Sequence, residues 1–293
     1  MSLWLTLLGP WLVAGPLTWQ RRRLADQFHP RWMVRVTAST CVLLALSTWT
    51  STLAVAVVLL VRSAALAWVA GWVVAGLAAA ALLAALRHVA MMRASMRAGR
   101  IYRRSSAKRG DVLIIDDQIA DAFAVPGQGG CVVLTTALLA GLTSAQRRAL
   151  FAHERAHLRH RHHLYVQAVE LSACLNPLLS PFSAVVRFAA ERDADECAAM
   201  TERSAAAHAL ARASLLCAPT TRAFGAGITG APSDVRRRLA ALVGEAPRPQ
   251  RWSRIVAAVL AAVILGLQIY LAADIAQDRI APEAGEADSV VFG

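Results

Sequence analysis

Charged residues are scarce in this chain of 293 residues: only 17% are Asp, Glu, Lys or Arg, whereas 57% are hydrophobic. The mean hydropathy of +0.46 lies well above the balance of a soluble domain. Lysine is almost absent, since Lys108 is the one lysine among 31 basic residues. The composition therefore indicates a membrane protein, and the preference for arginine is typical of a bacterial source with a GC-rich genome.

Paired cysteines are also lacking. The five cysteines, Cys41, Cys131, Cys174, Cys197 and Cys217, are scattered, odd in number and without a C-x-x-C pair. This spacing argues against a disulfide framework and against a cysteine zinc knuckle. We expect reduced thiols in a membrane or a cytoplasm.

The net charge of +12 could suggest nucleic acid as a partner, but the distribution of the charge argues otherwise. Five arginines fall within 21–35 and eight Lys or Arg within 87–109, each group next to an apolar run. Such clusters are typical of the cytoplasmic flanks of membrane helices. A nucleic-acid surface would interleave basic and base-reading side chains, which we do not find. The predicted partner is the lipid bilayer, with no direct nucleic-acid binding.

Four apolar segments are candidates for transmembrane helices, at about 3–19, 36–61, 64–86 and 251–276. The first is short and contains Pro10 and Pro16. Its basic residues follow it, which is not the order of a cleaved signal peptide. The basic segments 21–35, 87–109 and 248–254 then fall on one side, which the positive-inside rule makes the cytoplasm.

This layout predicts the domain organisation. Residues 1–99 form a membrane region with three helices, 100–250 a cytoplasmic catalytic domain, 251–276 a fourth helix and 277–293 a short acidic tail outside the cell. The apolar stretch 164–190 complicates the layout, but Asn176, Pro177 and Pro181 interrupt it. We expect two buried helices of the catalytic domain there rather than a fifth crossing.

The pattern H-E-x-x-H occurs at His153-Glu154-Arg155-Ala156-His157. Two imidazoles four residues apart lie on one face of a helix, close enough to bind one Zn²⁺. The carboxylate of Glu154 can take a proton from the attacking water, which is the chemistry of a zinc-dependent peptidase. The motif predicts His153 and His157 as metal ligands and Glu154 as the catalytic base.

A catalytic zinc site needs a third protein ligand. His163 stands where metzincins place a histidine, but those enzymes need glycine at the position of His160 to leave the helix. We expect the helix to continue here and to carry His163 away from the metal. Glu191 lies on a later helix at the distance that gluzincins use, and Asp195, one turn on, can support a ligand histidine. The alternative for both acidic residues is a solvated helix face.

Three short strands are predicted ahead of this motif, at 112–115, 122–125 and 131–134. A small sheet beside the zinc helix could bind an extended peptide at its edge. Thr143 or Ser144 is the expected N-cap of the zinc helix.

Four segments occur in the order seen in the BlaR/MecR-type antirepressor peptidases and the HtpX/CAAX-prenyl-protease type, and the chain resembles both over about residues 110–240. They are Ala122-Phe-Ala-Val-Pro-Gly127, Val133-Leu-Thr-Thr-Ala-Leu-Leu139, Ala149-Leu-Phe-Ala-His-Glu-Arg-Ala-His-Leu158 and Glu191-Arg-Asp-Ala-Asp195. A later stretch, Pro232-Ser-Asp-Val-Arg-Arg-Arg-Leu239, resembles a basic segment of these proteins, with the matching arginine left open.

The resemblance implies a mainly α membrane protein with about four transmembrane helices and an α+β gluzincin-like (minigluzincin) peptidase domain inserted before the last one. It implies Zn²⁺ bound by His153, His157 and Glu191. Glu154 would be the base and Asp195 the acidic residue behind a ligand. Three helices before the domain and one after it fit the BlaR/MecR branch. Without their penicillin-binding domain, direct β-lactam sensing is not expected.

The predicted function is that of a multi-pass membrane zinc metalloendopeptidase that cleaves a cytoplasmic protein, such as a transcriptional repressor in a signalling system. An HtpX-like protease acting on damaged membrane proteins is the alternative of the same class. A non-proteolytic scaffold or sensor is the alternative of another class, with a structural zinc site closed by His160, His162 or His163. His208, Arg236 and Arg238 are candidates for stabilising the oxyanion. The sequence leaves the oligomeric state open.

Overall fold

The computed structural model describes residues 29–62, 64–106, 110–128, 130–217 and 232–245, together with Gly266 and Tyr270. The predicted span at 3–19 and the acidic tail at 277–293 lie outside the described residues. So does the span at 251–276, apart from those two helical positions.

Two long helices begin the described part of the chain. Helix α1 comprises Pro30–Arg62 and helix α2 comprises Ala64–Ala98. The predicted spans at 36–61 and 64–86 lie inside them, and both helices extend beyond the apolar runs. Arginine and alanine favour helix, so nothing interrupts α2 before the turn at Gly99. The basic segment after the third predicted span is therefore helical, and helix α3 (Arg100–Ser106) continues it.

Two stretches, Pro30–Leu53 and Trp68–Ser106, are long and apolar enough to cross a membrane. They differ in their surroundings, because 44% of the apolar window of the first is buried within the protein and only 6% of the second. Trp68, Trp72 and Leu86 on α2 each expose more than half of their surface. An apolar helix whose surface the described residues leave mostly exposed is the better candidate for contact with lipid.

The first half of α1 belongs to a protein core. Val34, Cys41 and Leu44 pack with Val169 and Val186 from two helices far along the chain. Buried polar contacts lie in the same interface, where the Asn176 side-chain amide donates to Thr48 Oγ1 at 2.9 Å. The first half of α1 and the segment that follows the H-E-x-x-H motif thus share one core.

The sheet contains β1 (Val112–Ile115), β2 (Ala122–Val125) and β3 (Cys131–Thr135) in the order β1-β3-β2, and the predicted strands are confirmed. β1 runs parallel to β3, and β2 pairs antiparallel with it. The β2–β3 connection uses Gly127 at φ +119°, a conformation that only glycine adopts readily. Among the described strands β2 lies at an edge of the sheet, so the backbone groups on its outer side have no strand partner there.

Six helices follow the sheet in the described part of the chain: α4 (Thr136–Ala140), α5 (Ser144–Arg159), α6 (His162–Leu175), α7 (Phe182–Ala199), α8 (Arg203–Leu216) and α9 (Pro232–Val243). Thr143 caps α5 in a full capping box with Gln146, as expected. The apolar stretch 164–190 forms two helices separated by a short turn at Pro177–Leu179, which confirms the prediction of core helices.

The expectation that the helix continues past His160 is wrong. Helix α5 ends at Arg159, and Arg161 takes a left-handed conformation at φ 54° before α6 begins. A left-handed arginine costs about 1–2 kcal/mol, so contacts of the following residues must hold the turn. The turn brings α6 back beside the end of α5.

We expect Leu134→Ala to lower the free energy of unfolding by about 2–5 kcal/mol, because Leu134 is fully buried in the central strand and its loss leaves a cavity. Its register partner on β1, Ile114, is 51% exposed and offers a matched control. Ile114→Ala should cost less than about 1 kcal/mol. Denaturant unfolding followed by near-UV circular dichroism measures both, and equal losses would contradict the described packing.

Candidate active site

Helix α5 presents its two motif histidines on one face, as the four-residue spacing requires. Nε2 of His153 and Nε2 of His157 lie 3.3 Å apart. His153 is buried and His157 partly buried. Glu154 is 4% exposed and lines the same cleft as His157.

Glu191 on α7 faces this pair. Its Oε2 lies 3.4 Å from His153 Nε2 and its Oε1 lies 3.5 Å from His157 Nε2. Donor atoms around a tetrahedral zinc ion, each about 2.0–2.2 Å from it, are separated by roughly 3.3–3.6 Å. The three side chains therefore form a triangle of the size that one zinc ion needs.

The carboxylate of Glu191 supports the same conclusion. Neither of its buried oxygens accepts a hydrogen bond from the described residues, although Nη1 of Arg238 forms an ion pair with Oε2 at 2.9 Å. Buried carboxylate oxygens are costly when they lack partners. A cation between Glu191 and the two histidines would supply the missing ligand contact, so the residues present fit a metal ion.

Asp195 lies one turn beyond Glu191 and contacts the other side of the first histidine. Its Oδ1 is 3.2 Å from Nδ1 of His153. Arg238 on α9 donates to both oxygens of Asp195 at 2.7 Å, in the two-pronged geometry that favours arginine. The structure thus brings Asp195 behind His153, and it identifies Arg238 as the arginine of the basic segment that reaches the site.

Burial and charge set the protonation of these groups. Burial opposes the charge on His153, but the nearby carboxylates of Asp195 and Glu191 outweigh it and raise the pKa of this histidine well above its usual value. Burial lowers the pKa of His157 to about 3, so its imidazole is neutral and able to bind metal. Burial raises the pKa of Glu154 to about 7, where a carboxyl can both accept and return a proton.

A cleft of about 600 Å³ opens beside these side chains. Glu154, His157 and Glu191 line its floor, and Phe123 and Ala124 of the edge strand line one side. The last turns of α2 form another wall with Met91, Met92 and Met96. The C-terminal end of the long apolar helix α2 therefore forms part of the wall of the candidate active site.

The other sequence candidates lie elsewhere. His208 and Arg236 are exposed, and Arg238 is buried in its ion pairs, so none of the three lines this cleft. His163 lines the cleft but is not part of the triangle around Glu191.

The structure places two residues against the site in a role that sequence reasoning did not give them: His162 was considered only as a ligand of a structural zinc site, and Asp193 was given no role. The side chains of His162 and Asp193 follow His157 in a chain of short contacts. The histidine-rich run after the motif was a signal for His162, and the acidic E-R-D-A-D run was one for Asp193. The assumption of a continuous helix hid the connection between them.

Arg238→Leu should lower the free energy of unfolding of the metal-free chain by about 3–5 kcal/mol, because it leaves two buried carboxylates, Glu191 and Asp195, without their compensating cation. Arg236→Leu is the matched control, since Arg236 is exposed on the same helix. The control should change stability by no more than about 0.5 kcal/mol. Thermal and denaturant unfolding measure both variants, and a stable Arg238→Leu would contradict the ion-pair assignment.

Comparison with known families agrees with this site. Residues 92–226 match the model of Peptidase family M48, which is a little under half of the chain. No curated protein and no solved structure matches the chain. The matched segment contains the sheet, both motif histidines and the three buried acidic residues of α7, whereas Arg238 lies beyond it. Its similarity to Peptidase family M48 supports a metallopeptidase.

Proposed function

We propose that this protein is a membrane-bound zinc metalloendopeptidase. His153, His157 and Glu191 would hold the zinc ion, Glu154 would act as the base and Asp195 would support His153. One observation carries the proposal: donor atoms from two helices form a triangle with sides of 3.3–3.5 Å, open to a cleft that Glu154 also lines. The match to Peptidase family M48 supports the same class.

A bound zinc ion would supply Lewis-acid chemistry, polarising the peptide carbonyl and acidifying the attacking water. Glu154 takes the proton from that water on a carboxylate oxygen and delivers it to the nitrogen of the leaving amine. Its pKa of about 7 suits both steps near neutral pH. Asp195 accepts a hydrogen bond from Nδ1–H of His153. The ring therefore carries its proton on Nδ1, and Nε2 keeps its lone pair for the metal.

The substrate is an extended peptide segment in the cleft. The free edge of β2 offers backbone donors and acceptors, with Phe123 and Ala124 beside the catalytic groups. The methionines of α2 offer an adaptable apolar wall. Hydrogen bonds between the main chains of β2 and the substrate would hold the scissile bond in place. The apolar wall of α2 would contact the side chains of the substrate.

For the membrane layout we propose the arrangement of four helices at about 3–19, 36–61, 64–86 and 251–276, with the catalytic domain of 100–250 in the cytoplasm and the tail of 277–293 outside. The exposed apolar surface of α2 supports a bilayer around it. The arginines at its end, among them Arg87, Arg93 and Arg97, support a cytoplasmic location for that end.

For the substrate we propose a cytoplasmic transcriptional repressor within a signalling system, as the BlaR/MecR-like order of segments implies. One observation favours the second candidate, an HtpX-like protease of damaged membrane proteins: the lipid-facing helix α2 itself forms a wall of the cleft. Cleavage of a purified repressor, compared with cleavage of an unfolded membrane protein in vesicles, separates the two.

Glu154→Gln should reduce peptide hydrolysis by roughly 10²–10⁴-fold while zinc stays bound, because the amide cannot take the proton. His153→Asn and Glu191→Gln should lose zinc itself. Two quantities are measured on the full chain in detergent: its zinc content, by mass spectrometry, and its rate of casein cleavage. Glu202→Gln makes the same change at an exposed site and should leave both readouts unchanged.

Full proteolysis by zinc-loaded Glu154→Gln would refute the assignment of the base. Zinc bound to wild type with no cleavage of any substrate would favour the scaffold or sensor, whose site needs no base.

Zinc affinity should rise with pH. The raised pKa of His153 keeps its imidazole protonated at neutral pH in the metal-free chain, and that proton must leave when zinc binds. The apparent dissociation constant should fall about tenfold per pH unit between about pH 6 and 8 for one proton released. Calorimetry in buffers of different ionisation enthalpy counts the proton.

Asp195→Asn removes a carboxylate that raises the pKa of His153, and it should therefore flatten this dependence. A wild-type zinc affinity that does not change with pH would contradict the protonation scheme.

A further inference from the structure

A second cluster of metal-binding residue types lies directly behind the candidate zinc site. It comprises His160, His162 and Asp193, which could by residue type hold a second ion. Oδ2 of Asp193 lies 2.5 Å from Nδ1 of His160 and 2.9 Å from Nε2 of His162. His162 and Asp193 are almost fully buried, with 3% and 2% exposure.

The distances decide between a metal site and hydrogen bonds. Ligand atoms around one zinc ion are separated by roughly 3.3–3.6 Å, as they are at His153, His157 and Glu191. The separations of 2.5 and 2.9 Å around Asp193 leave no room for an ion between the atoms. They are the lengths of charge-assisted hydrogen bonds, in which one carboxylate oxygen accepts two N–H groups.

The direction of these bonds follows from the zinc site. Nε2 of His157 faces Glu191 and His153, so it must keep its lone pair for the metal, and the ring carries its proton on Nδ1. Nδ1 of His157 lies 3.0 Å from Nδ1 of His162. His162 must therefore accept at Nδ1, which leaves its own proton on Nε2, where it donates to Asp193.

We propose that His162 and Asp193 are positioning residues for the zinc ligand His157. Two hydrogen bonds fix the ring orientation and the tautomer of His157. In the first, Nδ1–H of His157 donates to Nδ1 of His162, and in the second, Nε2–H of His162 donates to Oδ2 of Asp193. The inference rests on the proposed zinc site. His160 holds Asp193 from the other side and orients the acceptor.

Two features of the fold build this chain. The left-handed turn at Arg161 places His162 beside His157 instead of one helical turn further along α5. Helix α7 provides the rest, because Glu191, Asp193 and Asp195 all lie buried on it. One helix thus supplies a zinc ligand, the support of His153 through Asp195 and the support of His157 through Asp193 and His162.

The test compares zinc affinities of variants of the full chain in detergent, by competition with a chelating dye. His162→Leu removes the acceptor for His157 and should weaken zinc binding roughly 10- to 100-fold. In His162→Asn the side-chain oxygen takes the position of Nδ1, so this variant should recover most of the lost affinity. His208→Leu is the matched control, because His208 is exposed and lies outside the cleft, and this variant should bind zinc like wild type.

Cobalt substitution gives a spectroscopic readout of the same site. The visible d–d bands of the Co²⁺-loaded chain should change in His162→Leu and return in His162→Asn. Unchanged affinity and bands in His162→Leu, or an equal loss in both variants, would overturn the proposal. A wild-type chain that binds two zinc ions, one of which is lost in His160→Asn, would also overturn the proposal. That result would show that His160, His162 and Asp193 form a metal site.

A measurement on wild type keeps the inference testable if His162→Leu does not fold. Nitrogen-15 NMR of the zinc-loaded, histidine-labelled chain should show His157 protonated at Nδ1 and His162 at Nε2, with the His162 signals assigned by their loss in His162→Asn. The opposite tautomer of His162 would overturn the proposal. A wild-type chain that binds no zinc would refute the proposed function itself, and with it this inference.

Discussion

Helix α7 carries three carboxylates, Glu191, Asp193 and Asp195, into a region from which water is almost excluded. Buried charges of one sign repel each other and lose their hydration, so each needs a partner of opposite charge or a strong hydrogen-bond donor. Arg238 lies between Asp195 and Glu191, and His160 and His162 both donate to Asp193. Around this helix the positions of α5, α6 and α9 are largely set by the need to compensate its charge.

The same network of contacts orients the two motif histidines of the candidate zinc site. Each motif histidine has a hydrogen-bond partner on the side away from Glu191: Asp195 for His153 and His162 for His157. Ligands held in this way lose little conformational freedom on binding. Glu154 makes no hydrogen bond within this network of described residues, and its pKa is raised mainly by burial, with a further contribution from the negative charge of Glu191, which leaves it available for proton transfer.

The two helices that are long and apolar enough to cross a membrane pack directly against the segment that carries the candidate active site. The first half of α1 packs in one core with α6 and α7, and the end of α2 forms a wall of the cleft. In the proposed membrane layout, a movement of these two helices would therefore reach the cleft without a linker. In a proposed signalling peptidase this is a direct route from the membrane to the active site.

Local pattern and tertiary structure contributed different parts of the site. The strands of the sheet, the capping box at Thr143 and the two helices within 164–190 followed from alternation, capping residues and prolines, which act over a few neighbouring residues. The turn at Arg161 could not be predicted in this way, since a left-handed arginine is locally unfavourable and depends on contacts of His162 with distant residues. The burial of half of α1 also escaped prediction, because an apolar helix has the same sequence whether lipid or protein covers it.

The sequence by itself determined the helix that places His153, Glu154 and His157 together, since a spacing of four residues fixes one helical face. It also marked Glu191 and Asp195 as candidates, because their spacing puts them one turn apart. Only the tertiary structure decided which arginine of the segment 236–238 enters the site and that His162 and Asp193 stand behind His157. The contacts of Asp195 with Arg238 and of Asp193 with His162 join residues more than thirty positions apart, and the contact of His157 with His162 depends on the turn between α5 and α6. Their geometry depends on how α5, α6, α7 and α9 pack, which no local pattern encodes.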